Sequence, residues 1–551
     1  MASTCTEILE ATRLQKVDED RIRRAQPVVR LWDAEWAVQH VLGDEYSSKF
    51  SWVSNDTGPG QTEIPFSSPA AQWIYDYQGR LDRSEGRTVG ITVDYCGARW
   101  SGILDKFAVE QREDGDLVMV VDWSHDYEHL KFYTVTSNPF MLDGFQFPRA
   151  WMVAGPITWT LRLTLFMAIW REHNPFITWP DDPMDASNWL SMGLDMSDWH
   201  IVVKPESFIE AMASGVVWSV ASARWTNFHD MAHYMVEDAE ISITCTRYLP
   251  GDDPPWDGAN LRYGTLVIDF VDKSGIQIGT SHGGSIFDGL VRTAVEFADD
   301  FIDSTLDVVA DADTPGDYFL VGSRYTDPVK PYVVFYEGDT SPIQRSAWMY
   351  SPTKCVQIEV GGHSMPGVNE AISATIQAYG DIVGNLFQIG SLGGSIDSIV
   401  APLYTDVILA WQSYKSTERS QNMGWDRLHG YFQDGAGKAY TISAVLVIRA
   451  GMWATKSLTS WQVEVADGQP YIIGDRGVGH FFLDDRVGLV IKGDDQIHMD
   501  RCRKIDLAWG PESPPEWKIG IGDDRIWQDP AQRALGRIER LIAGLHDLGV
   551  W

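Results

Sequence analysis

Cysteine is scarce in this chain of 551 residues, and its placement argues against a disulfide-stabilised fold. The five cysteines, Cys5, Cys96, Cys245, Cys355 and Cys502, lie far apart and form no CxxC pair. An odd and sparse set predicts reduced, mostly buried thiols and assembly inside a cell. Metal binding by these cysteines alone is not expected.

Basic residues are also few. Lysine and arginine number 44 against 77 aspartates and glutamates, which gives a formal net charge of −33. A surface this negative repels phosphate groups, so it argues against ordinary nucleic-acid binding and against docking on anionic membranes. It suits a wall along which DNA passes without binding.

Long apolar runs and targeting signals are missing from the sequence. The first residues lack a basic flank that leads into an apolar core, so we expect no signal peptide. The uncharged run Ile382–Ile396 falls short of the roughly 20 residues that cross a bilayer. The apolar stretch 156–175 is interrupted by Arg162, and we expect a buried helix there. The sequence therefore predicts no transmembrane segment.

Aromatic residues are plentiful, with 24 tryptophans spread along the chain. Tryptophan buries a large flat surface and keeps one hydrogen-bond donor for a partner. Core packing and subunit contacts are the main interpretation, and stacking on carbohydrate is the alternative.

Strand-like and helix-like patterns alternate at the scale of domains, which predicts an α+β fold. Ile91, Val93 and Tyr95 alternate with polar residues, and Asp-Gly pairs at 114–115 and 467–468 mark hairpin turns in the two β regions. The predicted division is 1–27, an N-terminal arm or helix; 28–135, a β domain; 136–340, an acidic mixed α/β insertion; 341–440, linker strands and a helical hairpin; 441–526, a second β domain; and 527–551, a C-terminal helix.

The predicted hairpin spans residues 369 to about 420. Its first arm carries a heptad-like apolar seam, and the run GSLGG at 390–394 separates the two arms. We expect its tip to act as a channel plug, a trimer contact or a membrane-facing loop. The candidate tip residues are Leu386, Phe387, Ile389 and Leu392.

A strand, turn and helix pattern around Gly362-His363-Ser364 imitates the nucleophile elbow of α/β hydrolases. The elbow needs glycine two positions after the serine, where strand and helix backbones crowd each other, and this chain has Pro366. The alternating β and α units of that fold are also missing. A loop that enters a helix explains the same letters, so we predict no catalytic residue here.

Two histidine pairs imitate metal sites. HDMAH (His229 to His233) resembles a zinc protease helix, but aspartate replaces the catalytic glutamate and no clear third ligand follows. HDYEH (His125 to His129) has the same weakness. The acidic run DVVADADTPGD (307–317) carries Pro315 at a ligand position of a calcium loop. The sequence contains neither a Walker loop nor a dinucleotide fingerprint, so we predict no metal, no cofactor and no enzymatic activity.

Several long runs resemble a known family. They include VRLWDAEW (29–36), DEYSSKFSWVSNDTGPGQTEIPF (44–66), GTSHGGSIFDGLVRTAVEFADDFIDSTLD (279–307) and GDRGVGHFFLDDRVGLVIKGDDQIHMDRCRKIDLAW (474–509). From about residue 28 onward the chain resembles minor tail proteins of long-tailed (siphovirus) mycobacteriophages, of the tail-hub or tail-associated baseplate class.

The resemblance implies a structural role in the tail tip of the virion, with assembly in the host cytoplasm. Hubs of this class are trimers in which each chain contributes two tube-like β domains, so that three chains imitate a sixfold ring. The implied partners are two sister copies, the distal tail protein, the tape measure protein and other minor tail proteins, with DNA passing unbound and a transient host envelope contact. The alternatives are a hydrolase that degrades the envelope, using Ser364 or the pair His229 and His233, and a tail protein that binds a receptor or carbohydrate.

Overall fold

The computed structural model describes residues 2–273 (except 114, 175–176, 179–183, 185–195 and 215), 308–309, 333–338, 343–361, 373, 411–432, 448, 451–452, 454–465 and 471–522 (except 477, 494–496 and 512). The chain forms two compact units. The first comprises Met1–Leu290, Leu306–Trp348 and Ser460–Asp523, and the second comprises Val291–Thr305, Met349–Thr459 and Asp524–Trp551.

Most regular structure in the described part of the chain is β, which confirms a mixed α+β fold. The strands are β1 (Val28–Trp32), β2 (Val38–Leu42), β3 (Ser47–Val53), β4 (Pro59–Pro65), β5 (Gly90–Tyr95), β6 (Ala98–Gln111), β7 (Leu117–His125), β8 (Thr134–Val135), β9 (Trp151–Pro156), β10 (Ile201–Val203), β11 (Trp218–Ala223), β12 (Thr226–Asn227), β13 (Ile241–Arg247), β14 (Leu266–Asp272), β15 (Val308–Val309), β16 (Val334–Tyr336), β17 (Ile343–Ser351), β18 (Gln357–Gly361), β19 (Trp411–Lys415), β20 (Gly430–Phe432), β21 (Leu458–Val465), β22 (Arg486–Val490), β23 (Ile497–Gly510) and β24 (Ser513–Gly522).

The helices are fewer and shorter. They are α1 (Ala2–Arg23), α2 (Pro69–Tyr75), α3 (Tyr77–Asp82), α4 (His129–Phe132), α5 (Ile157–Glu172), α6 (Phe208–Ala213), α7 (Phe228–Asp238) and α8 (Thr417–Asn422), with 3-10 turns at Asp126–Glu128 and Met196–Asp198. The predicted N-terminal helix is α1, and its role as a docking arm stays a prediction. In the part of the chain that the structure describes, no helix is long and apolar enough to cross a bilayer.

A single sheet joins strands from both ends of the chain. Its order is β17-β21-β24-β23-β3-β4-β7-β6-β5-β1-β2; off this path, β15 and β22 pair with β23, and β16 pairs with β22. The join is the antiparallel pair β3 and β23, in which Val53 lies opposite Lys504 and Ser48 opposite Trp509. The predicted turn between β6 and β7 is confirmed at Gly115, where φ is +92°. The division into two tube-like domains stays a prediction.

Aromatic side chains fill the core where the two ends of the chain meet. The rings of Trp52 and Trp517 lie 5.5 Å apart, and Phe50 packs 4.9 Å from Trp100 and 5.6 Å from Trp509. All five side chains are buried. Ring pairs at these separations add stabilisation beyond the apolar area that they bury. Much of the tryptophan content therefore serves a hydrophobic core shared by N-terminal and C-terminal strands.

The insertion between β7 and β15 builds a second core. Strand β14 pairs in parallel with β10 and antiparallel with β13, and α5 packs near this small sheet. The predicted buried helix is confirmed as α5, in which Leu161, Leu165 and Ile169 are buried. Arg162, the interruption seen in the sequence, is buried and paired with Glu206 and Asp269. Its charge is thereby neutralised inside the protein.

Buried polar contacts fasten the insertion to the main sheet. Arg247 donates to both carboxylate oxygens of Asp126, at 2.9 and 2.7 Å, and its guanidinium lies 4.1 Å from the centre of the Trp36 ring. Asp484, which is fully buried, accepts from Ser242 of β13 at 2.5 Å and from Arg501 of β23 at 2.8 Å. These bonds fix the insertion in one orientation on the sheet because each satisfies a buried charge.

The second unit corrects two predictions. Residues 411–415, predicted at the far end of the helical hairpin, form strand β19, which pairs with β18. Residues 448, 451, 452 and 454, predicted to be β, are helical. Ile448, Met452 and Ala454 are buried there, and a short apolar run is ambiguous between a strand and a buried helix.

Candidate functional site

Several predicted site residues lie outside the described residues. They are Ser364 and the four tip residues Leu386, Phe387, Ile389 and Leu392. The plug at the hairpin tip therefore stays a prediction. The turn at 467–468 and the C-terminal helix at 527–551 also lie outside the described residues.

The HDMAH segment lies on α7, and its side chains have structural partners. Asn227 caps the helix by accepting from the backbone of Asp230, and its amide donates to the Asp230 carboxylate at 2.7 Å. His229 Nδ1 lies 3.0 Å from the hydroxyl of Tyr127, and His233 Nε2 lies 3.8 Å from Glu237. Burial, and then the nearby His233, lower the pKa of His229.

The HDYEH segment surrounds a buried ion pair. Burial lowers the pKa values of His125 and His129 to about 4. Burial alone would raise the pKa of Asp126, but attraction and hydrogen bonds from Arg247 outweigh it and hold that pKa at about 2. The segment thus places neutral imidazoles beside a carboxylate that is already occupied by an arginine.

A different cluster brings three metal-type ligands together. One ligand atom each from Glu172, His173 and His200 lies within 4.8 Å of the others, and in the described part of the chain this is the one group of three or more. Glu172 Oε1 is 4.0 Å from His200 Nε2. The hydroxyl of Tyr133 donates to Glu172 Oε2 at 2.6 Å and lies 3.1 Å from His200 Nε2.

Two elements of the insertion position this cluster. Glu172 ends α5 and His173 follows it, whereas His200 directly precedes β10. The His173 ring stacks on Trp199 at 4.8 Å with an interplanar angle of 6°. Trp199 is buried, and its carbonyl accepts from the Thr265 hydroxyl at 3.0 Å. Sequence reasoning missed the cluster because its members lie in separate segments with no fixed spacing.

An exposed apolar loop follows β8. Phe140, Phe145 and Phe147 are 61%, 75% and 77% exposed. The loop is nevertheless held in shape, because the buried Arg171 donates to the carbonyl oxygens of Pro139 at 3.1 Å and Met141 at 2.8 Å. Exposed aromatic side chains on a supported backbone are typical of interaction surfaces.

Comparison with known proteins decides the family. Residues 28–523 match the family described as siphovirus ReqiPepy6 Gp37-like protein. The chain belongs to this family. It is 31% identical to Minor tail protein Gp28 of Mycobacterium phage L5, with 100% of both chains covered. It is 30% identical to Minor tail protein Gp28 of Mycobacterium phage D29, with 98% of this chain and 97% of that protein covered.

The predicted resemblance to minor tail proteins of siphovirus mycobacteriophages is therefore confirmed. Family membership supports a structural role and a location in the virion tail. The names of these relatives are consistent with a protein that is not an enzyme.

Solved structures show distant likeness. A tail protein from Neisseria meningitidis MC58 has a TM-score of 0.39 at 9% identity and covers 92% of this chain and 99% of its own. The prophage tail protein gp18 from Listeria monocytogenes has a TM-score of 0.36 at 8% identity and covers 94% of this chain and 100% of its own.

Proposed function

We propose that this protein is the hub of the phage tail tip. Three copies close into a ring that caps the tail tube and forms part of the channel through which DNA is ejected. The observation that carries the proposal is the open sheet of the first unit, which combines strands from both ends of the chain and ends at β17 and β2.

Open sheet edges supply a physical means of closing a ring. Within the described residues, β2 is a terminal strand that pairs with β1, and Val38 and Val41 on it are 53% and 65% exposed. An exposed edge strand offers unpaired backbone groups to another chain. A contact between two different edges is heterologous, and such contacts form a closed ring when the rotation between copies closes. We propose that β2 of one copy pairs with β17 of the next.

The negative net charge of the chain supports the proposal of a DNA channel. The net charge of −33 makes a bore lined by this chain repel DNA and favour passage without specific binding. The apolar loop at Phe140, Phe145 and Phe147 offers a contact for neighbouring tail proteins, among which we place the distal tail protein, the tape measure protein and other minor tail proteins. Transient contact with the host envelope belongs to the same proposal.

The oligomeric state tests the hub. We expect the purified full chain to be a trimer by mass photometry and a ring with a central hole by electron microscopy. The paired change Val38→Lys and Val41→Lys should give monomers with an unchanged melting temperature, because lysine on an edge opposes strand pairing. Leu117→Lys is the matched control, since Leu117 is 48% exposed but lies on β7, an inner strand.

Three results would contradict this proposal. A wild-type chain that stays monomeric at high concentration would contradict the proposed ring. A trimer that persists after the paired lysine substitutions would contradict the proposed contact through the edge of β2. Gold-labelled antibody that binds along the tail shaft, and not at its tip, would remove the location.

We also propose that the tip of the predicted hairpin closes the channel before ejection. Deletion of residues 385–396 removes Leu386, Phe387, Ile389 and Leu392. The expected particles assemble but leak DNA or fail to eject it, as measured by nuclease sensitivity of packaged DNA and by plaque formation. Normal infectivity after the deletion would remove the plug.

A further inference from the structure

We propose that Glu172, His173 and His200 form a binding site for a divalent transition-metal cation of the Zn²⁺ type. The site belongs to the insertion and is independent of the ring and channel proposed above. Two imidazoles and one carboxylate are a donor set that zinc accepts with three protein ligands, leaving a fourth position for water.

The ligand atoms already converge. All three lie within 4.8 Å of one another, and the Glu172 to His200 pair is 4.0 Å apart. Zinc bonds to nitrogen and oxygen are about 2.0–2.2 Å long, so the cation fits between these atoms after side-chain shifts of about 1 Å or less. The cluster is partly exposed, with Glu172 and His200 at the surface, which gives an ion a path of entry.

The surroundings favour a cation. Glu172 and His173 lie at the C-terminal end of the 16-residue helix α5, where the backbone carbonyls carry partial negative charge. One nearby cation, Arg247, lies 3.3 Å from His129 Nε2, but it is paired with Asp126 and packs against Trp36. The carboxylate of Glu172 therefore contributes a negative charge to the site that Arg247 does not cancel.

Side chains around the ligands orient them. Trp199 supports the His173 ring from one face, and the Tyr133 hydroxyl donates to Glu172 Oε2, which leaves Oε1 for the ion. The 3.1 Å contact of Tyr133 with His200 Nε2 is the one that the ion replaces. Groups that orient ligands in this way reduce the reorganisation required for binding. We assign Tyr133 and Trp199 as positioning residues.

Zinc titration of the chelator-treated full chain tests the site. We expect saturable binding of Zn²⁺ by calorimetry at one equivalent per chain, and a visible absorption band when Co²⁺ takes its place. His200→Ala and His173→Ala should each weaken binding by at least about tenfold. His200→Cys should retain it, because a thiolate is also a zinc ligand.

His233→Ala is the matched control, since His233 is a partly exposed histidine of the same insertion on α7. Its affinity for Zn²⁺ should equal that of the wild type. The proposal would be overturned if His233→Ala lost as much Zn²⁺ affinity as His200→Ala, if His200→Ala bound Zn²⁺ as the wild type does, or if the wild type showed no saturable binding. X-ray absorption on the wild-type zinc complex tests the ligands without relying on variants that could misfold. It should report two imidazole ligands, and fewer than two would refute the assignment.

Discussion

The ion pair between Arg247 and Asp126 makes a quantitative prediction about how the insertion is held on the sheet. Asp126→Asn keeps the size of the side chain but removes its charge. The Arg247 side chain is 3% exposed, so its guanidinium would remain buried without a charged partner. Breaking one side of such a pair costs about 3–5 kcal/mol of unfolding free energy.

The structure narrows the expected loss of unfolding free energy in Asp126→Asn. Arg247 would keep its hydrogen bond to the Gly264 carbonyl at 2.9 Å and its contact with the Trp36 ring. The pKa of Asp126, held at about 2 in place of 3.8, corresponds to about 2.5 kcal/mol of preference for the charged form. Both arguments place the loss near 3 kcal/mol. Because this figure comes from the charge, it applies at neutral pH, where Asp126 is fully ionised.

Urea unfolding followed by tryptophan fluorescence measures this loss. Glu35→Gln breaks the exposed pair between Glu35 and Arg262, whose side chains are 62% and 53% exposed, and should cost less than about 1 kcal/mol of unfolding free energy. Asp126→Asn combined with Arg247→Met should recover part of the loss, because it removes the unpaired charge. A change of less than about 0.5 kcal/mol in Asp126→Asn, or an equal loss in Glu35→Gln, would refute the reasoning.

Three further predictions concern the same unit. Lowering the pH from 7 to 5 should reduce the free energy of unfolding by about 2 kcal/mol through His129. The reason is that His129 takes up a proton below pH 6.5 in the unfolded chain but only near its pKa of about 4 in the folded chain. Thermal scans of His129→Gln should therefore show a weaker pH dependence than those of the wild type. Gly97→Ala should lower the melting temperature more than Gly115→Ala. Both glycines have a positive φ, which strains any residue with a Cβ atom. A Cβ at Gly97 would in addition lie 2.3 Å from a backbone oxygen, whereas a Cβ at Gly115 would have no atom within 4 Å. Mass spectrometry after thiol labelling of the native protein should find Cys96, which is half-buried, modified before Cys245, whose pKa burial raises; early labelling of Cys245 would contradict this.

Local patterns predicted the elements whose neighbours in sequence are their neighbours in space. The hairpin of β6 and β7 with its turn at Gly115, and the buried helix α5, follow from alternation, turn residues and apolar spacing. The same kind of pattern failed at residues 448, 451, 452 and 454, because a short apolar segment satisfies strand and helix periods equally well. It failed at 411–415 because strand β19 forms by pairing with β18, a contact between segments distant in sequence that local periodicity does not show. The pairing of β3 with β23 lay beyond such patterns, since period-two alternation shows which face is buried but not which strand lies alongside.

The zinc-type cluster shows why spacing motifs find some sites and miss others. The segment HDMAH places two imidazoles one helical turn apart, but His229 is hydrogen-bonded to Tyr127 and Asp230 belongs to the helix cap. Glu172 and His200 have no informative spacing, and they meet because α5 ends beside the start of β10. A motif records only ligands carried by one element, whereas convergence of ligands from two elements is a property of packing. Packing in the insertion, and not local spacing, therefore determines which histidines can share an ion.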